Sequence, residues 1–390
     1  MKILKNIRIS TLFVLYVVGF MFALRSALPS YINSTFLSGI SSEKAVGIIY
    51  TLCSILTLFI FVFILSKLLN KIGNYKTILF FLFINIISLF GLSVLKDNFL
   101  LILCFIVSYS ATTISAFCLD IFIEHNSTDD NTGKIRSFYL TSINLAWLLS
   151  PWLASLIVNG DDYWKVYMTA TAIMIPIFLI ISYNLKNFKD KEYQHFNLFK
   201  TIKEVWKNKD IKCILASNFL LQSFYACMVI YTPIYLNEYI GLSWKTIGLM
   251  FTIMLLPFVF IQIPLGKIAD KKFGEKELLT FGFIVMAIST GLITYIGVKT
   301  FWIWAILLFL TRIGAATVEV MTEVYFFKNI SVKDVNLMSL FRIMAPLAYI
   351  MAPVLATIFL YFFDYEYIFL ALAFAMFFGI RYSLAIKDTR

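Results

Sequence analysis

The sequence predicts an all-α membrane protein, with twelve transmembrane helices arranged as two pseudo-symmetric six-helix bundles. Three observations carry that expectation. First, the 390 residues are 61% hydrophobic and only 14% charged, whereas soluble domains are about half apolar and about a quarter charged. No water-soluble fold hides this much apolar surface, so lipid must be part of the solvent. Second, the apolar residues fall into twelve runs, each near the ~20 residues that cross a bilayer as a helix. Third, the two halves of the chain repeat one another at matching places.

Taken in order, the predicted helices lie near 9–31, 43–65, 76–95, 99–123, 134–158, 163–183, 210–236, 245–265, 277–297, 301–326, 334–360 and 365–386. The first run is longer than a signal-peptide core. Its end, Leu28-Pro29-Ser30-Tyr31, is a poor cleavage site, so it reads as a retained helix. The domain reading is 1–183 for the first bundle, 184–209 for a polar linker and 210–390 for the second bundle. A short amphipathic helix with Phe199, Ile202, Val205 and Trp206 could lie on the membrane surface within that linker. Cys53, Cys104, Cys118, Cys213 and Cys227 fall inside apolar runs without metal spacing and read as small core residues. No cofactor or metal is expected, and the chain is expected to act as a monomer.

The formal charge of +11 comes from basic residues clustered between apolar runs. That is a topology signal, not the footprint of a nucleic-acid binder. With both termini inside, the inner segments hold Lys67, Lys71, Lys76, Lys134, Arg136, the linker lysines, Lys267, Lys271, Lys272 and Lys276 among others. The outer ones hold only Lys44, Lys96, Lys165, Lys245 and Lys299. Both termini are therefore expected in the cytoplasm, in a cell membrane.

The strongest local pattern is Gln262-Ile263-Pro264-Leu265-Gly266-Lys267-Ile268-Ala269-Asp270-Lys271-Lys272-Phe273-Gly274-Glu275-Lys276. An apolar run ends in Gly and Asp, basic residues follow, and Gly274 precedes the next run. This is a tight basic hairpin between two spans, with Gly266 permitting close helix approach and Gly274 suited to a turn. A second copy, Ser66-Lys67-Leu68-Leu69-Asn70-Lys71-Ile72-Gly73-Asn74-Tyr75-Lys76, stands in the first half. The motif resembles the G-x-x-x-D-[RK]-[FY]-G-[RK] loop of the major facilitator superfamily, with Lys272 as one extra residue. In the first copy Ser and Asn replace its Gly and Asp. Further parallels extend the resemblance over the whole chain. Leu28-Pro29-Ser30-Tyr31 matches Thr232-Pro233-Ile234-Tyr235, Gly47 matches Gly248, and Ser150-Pro151-Trp152 matches Ala352-Pro353-Val354. The resemblance implies a secondary transporter whose halves rock around a midplane site. It also implies that Lys71 and Gly73, with Gly266, Asp270, Lys271 and Gly274, form gating contacts with Asp120, Glu124, Arg136 and Arg342.

Charges inside a span cost several kcal/mol unless paired or wetted, so they are functional candidates. Arg25 lies in the first helix. Arg312, Glu319 and Glu323 share the tenth helix at spacings of seven and four, which places them on one face. Glu319, with Glu323, reads as a proton-exchanging carboxyl and Arg312 as its partner or as an anion holder. The alternative is a structural ion-pair network with Arg342. Arg25 either faces a central cavity and attracts anions or snorkels outward. Asn144, Trp147, Gln222 and Tyr225 supply candidate polar and aromatic cavity walls. The segment Leu149-Ser150-Pro151-Trp152 sits where the superfamily's proton antiporters carry a glycine-rich motif, and its glycines are missing here.

No phosphate-binding loop, H-E-x-x-H or activated-serine motif occurs in the sequence, so an enzyme or an ATP-driven pump is not expected. The functional expectation is a proton-coupled symporter or antiporter moving an organic anion or an amphiphilic drug-like molecule. A facilitative uniporter and a non-transporting sensor on the same fold are the alternatives. The expected partners are a small-molecule substrate, a proton or other coupling ion, and the lipid bilayer.

Overall fold

A computed structural model describes residues 11–125, 132–158, 160, 162–186, 188, 198–261, 264–265, 274–329 and 335–387. The described elements are helical. They are α1 (Thr11–Ser30), α2 (Asn33–Ile40), α3 (Glu43–Phe59), α4 (Ser66–Val94), α5 (Asn98–His125), α6 (Thr132–Ile157) and α7 (Trp164–Asn184). They continue with α8 (Leu198–Lys207), α9 (Lys209–Ile234), α10 (Trp244–Phe260), α11 (Glu275–Ile293), α12 (Phe301–Lys328), α13 (Val335–Phe359) and α14 (Tyr367–Ala385). Short π-helical stretches, Ile60–Leu65 and Tyr235–Tyr239, extend α3 and α9. Among the described residues, nine helical stretches are long and apolar enough to cross a membrane. One of them, Glu43–Val94, is 52 residues long and turns at Gly73, where φ is 80° and ψ is 165°. Only glycine takes that conformation readily.

The helices are inverted relative to those of a soluble protein. On α4, Phe83, Ile87, Phe90 and Val94 are exposed along one face, while Ile78, Leu82, Asn85, Leu89 and Leu92 are buried on the other. The i, i+4, i+7 spacing of the exposed apolar residues is one helical stripe. On α14, Phe374, Phe377 and Phe378 are exposed in the same way. Such a surface is stable only against lipid, and the chain is an integral membrane protein. Pro29, Pro151, Pro176, Pro233, Pro257, Pro346 and Pro353 sit inside these helices. Spans tolerate proline because neighbouring helices satisfy the freed carbonyls.

Two details differ from the sequence reading. The connection after the first span is itself helical, as α2, with Ser34, Thr35 and Leu37 buried. The amphipathic linker helix α8 buries Thr201 and Val205, while Trp206 is 70% exposed and lies under Lys212, 5.2 Å from ring centroid to ammonium. Asn208 ends α8 and caps α9 by accepting from the backbone N–H groups of Asp210 and Ile211, a contact that stabilises a helix start by ~1 kcal/mol.

By its described residues the chain forms two compact units. The first lies within Met1–Pro29, Phe59–Ser150 and Asp162–Gln194; in it α4 packs on α5 and α7. The second lies within Ser30–Leu58, Pro151–Asp161 and His195–Arg390. Here α9 packs on α12, α13 and α14, while α12 also meets α10 and α11. Segments from the first half of the sequence therefore belong to the second unit. A Cβ on Gly47 would stand 2.3 Å from Thr357 Oγ1 and 2.9 Å from the Pro353 carbonyl. A Cβ on Gly248 would stand 2.4 Å from Ser155 Cβ and 2.5 Å from the Pro151 carbonyl. The two crossings are built alike, a glycine of one helix against a proline carbonyl of another.

A third close crossing joins α11 and α12. A Cβ on Gly314 would lie 2.7 Å from the Gly282 carbonyl, and one on Gly282 would lie 3.0 Å from the Gly314 carbonyl. Gly39 has nothing within 4 Å. Gly314→Val is expected to lower stability by ~1–3 kcal/mol through overpacking, and Gly39→Ala to leave it near the parent value. Thermal unfolding of the detergent-purified protein measures both; equal effects would contradict the crossing.

Candidate functional site

Among the described residues two arginines are buried in the membrane-spanning helices, Arg25 and Arg312, each 2% exposed. Neither makes an ion pair with a carboxylate among the described residues. The unit around each shows how it is accommodated.

Arg25, on α1, points into the first unit and is held by neutral groups. Its Nη2 donates to Asn85 Oδ1 at 3.0 Å and to Thr112 Oγ1 at 2.6 Å, and its Nη1 donates to Thr112 Oγ1 at 3.0 Å and Ser26 Oγ at 3.2 Å. Asn85 Nδ2 donates to Thr112 Oγ1 at 2.9 Å, and Ser108 Oγ donates to Asn85 Oδ1 at 3.0 Å. The guanidinium carbon is 5.3 Å from the Phe22 ring centroid, and Nε has no hydrogen-bond partner. Hydrogen bonds to a charged group contribute ~1.5–3 kcal/mol each, so this ring of amide and hydroxyl oxygens offsets much of the cost of burial. It distributes the charge without neutralising it.

Arg312, on α12, is held by aromatic faces in the second unit. Its guanidinium carbon lies 5.2 Å from the Phe224 ring centroid and 5.6 Å from that of Tyr225, both residues of α9. Its Nε also lacks a hydrogen-bond partner. Cation–π contacts of this range give ~2 kcal/mol or more when desolvated. The Tyr225 hydroxyl donates in turn to Glu319 Oε2 at 3.4 Å. Tyr225 therefore touches the cation with its ring and the carboxylate with its hydroxyl. The helical spacing puts Arg312 and Glu319 on one face, and the structure places a single tyrosine between them.

The other candidates are dispersed. Gln222 donates to Asn218 Oδ1 at 3.4 Å, and Asn218 donates to the Phe341 carbonyl at 3.2 Å. Asn144 and Trp147 are half-buried on α6, Asp120 is half-buried on α5, and Lys71, Glu323 and Arg342 are exposed. Gly274 has φ 69° and ψ 166° at the start of α11, close to the conformation of Gly73. Gly266, Asp270 and Lys271 lie outside the described residues, as do the side chains of Glu124 and Arg136.

Residues missed from the sequence include Asn85, Ser108 and Thr112. The four-residue spacing of Ser108 and Thr112 on one helical face was the available signal. A second omission follows the turn glycines. Asn74, after Gly73, is fully buried and donates to the Cys118 carbonyl at 3.0 Å. Glu275, after Gly274, is 1% exposed and accepts from Lys328 Nζ at 2.6 Å. In each case the residue after the glycine ties the helix that follows to a neighbour.

A lipid-facing helical exterior, two turn glycines of like conformation and charges buried inside the spans point to a membrane transporter. The chain belongs to the Major Facilitator Superfamily, whose sequence model matches residues 9–250 and again 233–388. Among solved structures it is similar to a crystal structure of the nucleoside transporter NupG, determined as a point mutant, with a TM-score of 0.76 and 13% sequence identity. The likeness covers 96% of this chain and 100% of that one. No curated protein sequence matches the chain.

The Arg25 network makes a separable prediction. Asn85→Leu removes one acceptor and leaves the buried guanidinium under-satisfied, at an expected cost of ~1–3 kcal/mol. Arg25→Met in the Asn85→Leu background should cost less than in the parent, because the two residues share one network. Thermal unfolding of the four proteins tests this; strictly additive losses would contradict it.

Proposed function

We propose that this transporter moves a small organic anion by alternating access and couples that movement to a proton. The observation that carries the reading is the Arg312–Tyr225–Glu319 arrangement: a buried cation without a carboxylate partner, joined through one side chain to a carboxyl group. A buried cation without a counter-ion favours an anionic ligand, and a carboxyl in a desolvated span is suited to loading and releasing a proton. Arg25, satisfied only by neutral groups, adds a second positive centre that favours anions over cations.

The working parts in this proposal are the bundles 1–183 and 210–390, twelve spans joined by the linker 184–209, acting as a monomer. Lys71, Gly73, Gly266, Asp270, Lys271 and Gly274 act at the hairpins, with Asp120, Glu124, Arg136 and Arg342 as gating partners. Glu323 stands beside Glu319 as a second acid. Asn144, Trp147 and Gln222 contribute to substrate binding. Both termini and the linker face the cytoplasm, in a cell membrane, as the distribution of basic residues favours. NupG is a nucleoside transporter, and at 13% identity that likeness speaks for the fold, so support for an anion comes from the buried guanidiniums.

Glu319→Gln mimics the protonated acid. It is expected to abolish uphill solute accumulation driven by an imposed pH gradient in sealed vesicles while sparing counterflow. Retained accumulation would return Glu319 to a structural role. Reporter fusions after Lys96, Asp162 and Lys299 are expected to read outside and one at residue 200 inside; an outside signal at 200 would overturn the orientation.

A further inference from the structure

We infer that Tyr225 is the positioning residue that links anion binding at Arg312 to protonation of Glu319, and that the link makes solute and proton travel together. The inference rests on the reading of Arg312 and Glu319 given above.

The geometry has three parts. Arg312 lies over the Tyr225 ring. The hydroxyl of the same ring donates to Glu319 Oε2. Arg312 has no carboxylate partner among the described residues, and its Nε is unpartnered while the residue is 2% exposed. The surroundings are aromatic: Phe224 covers the same guanidinium, and Tyr31 and Tyr349 lie within reach of its charge. Aromatic surroundings favour an anion with an apolar aromatic body over a strongly hydrated inorganic ion.

The sign of the coupling follows from the charges. With the site empty, the Arg312 cation acts on Glu319 and favours its ionised form. It acts through space and through Tyr225, because a cation on the ring strengthens the phenol as a donor to the carboxylate. An anion bound at Arg312 cancels that field. Glu319 then sits in an apolar span beside a weaker donor, and taking up a proton becomes more favourable. Coupling between two binding sites is reciprocal, so a proton on Glu319 also strengthens anion binding. The two ligands load together and leave together, which is symport. An antiporter needs the opposite sign.

Glu323, on α12, stands near Glu319. Lys328, further along α12, is engaged with Glu275 of α11. Arg342 is exposed on α13, and it, Glu319 and Glu323 also have other contacts. Cys227 lies on α9 near Tyr349.

The test uses purified full-length protein and benzenesulfonate, an aromatic anion that does not itself titrate near neutral pH. In weakly buffered solution with a pH indicator, binding is expected to draw protons from solution. Affinity should fall as pH rises, approaching about tenfold per pH unit where one proton is taken up per anion. Tyr225→Phe keeps the ring over Arg312 and removes the donor; its affinity for the anion should lose most of the parent's pH dependence. Glu319→Gln should bind with no proton uptake, and Arg312→Gln should lose binding. Proton release on binding, or a Tyr225→Phe protein with the parent's pH dependence, would overturn the inference even if Glu319→Gln abolishes gradient-driven transport. Glu319→Gln protein that still accumulates solute would instead remove the reading on which it rests.

Discussion

An arginine inside a lipid-spanning helix must find compensation within the protein, and much of this structure is arranged around that constraint. A charged side chain at a helix centre costs ~2.5–3.5 kcal/mol on insertion scales. The two units answer it differently. The first surrounds Arg25 with amide and hydroxyl oxygens from α4 and α5. The second lays Arg312 against the rings of α9. Neither solution supplies a counter-ion, so positive charge persists in places where water is scarce. Pairing each arginine with an acid would have been the simpler structural device, and its absence among the described residues is what makes the arginines read as functional.

Several features recur in the two halves of the sequence. Gly73 and Gly274 take nearly the same backbone conformation, and each is followed by a buried polar residue tied to a neighbouring helix. Gly47 and Gly248 each lie against a proline carbonyl. Tyr239 of the second half donates to Glu43 of the first at 2.5 Å, and Ser38 donates to Glu238 at 2.7 Å. These contacts couple segments 30–58 and 151–161 to the helices of the second half within one compact unit. Glycine crossings bring backbones together closely while leaving few side chains to disentangle, a suitable construction for surfaces that separate and re-form.

Most of the fold was legible from hydropathy alone, because a bilayer imposes span length and internal backbone pairing on any sequence that crosses it. The parallels of Gly47 with Gly248 and Pro151 with Pro353 were visible as letters. That Gly47 meets Pro353 and Gly248 meets Pro151 was not, since repetition says which positions correspond and not which ones touch. Helical spacing placed Arg312 and Glu319 on one face but could not supply Tyr225, which is 94 residues from Glu319 along the chain. The same holds for Asn85 and Thr112, 60 and 87 residues from Arg25. Arg25 also shows the limit of reading charge from one helix, because its nearest partners are neutral and lie on other helices.

In the proposed mechanism, solute and proton movements are joined through Glu319. The most direct measurement reverses the usual driving force: vesicles containing the reconstituted protein and an internal pH indicator, given an inward gradient of benzenesulfonate with no initial pH difference. The account predicts acidification of the interior as protons enter with the anion, and its loss in Glu319→Gln. Solute entry without any pH change, or with alkalinisation of the interior, would contradict it.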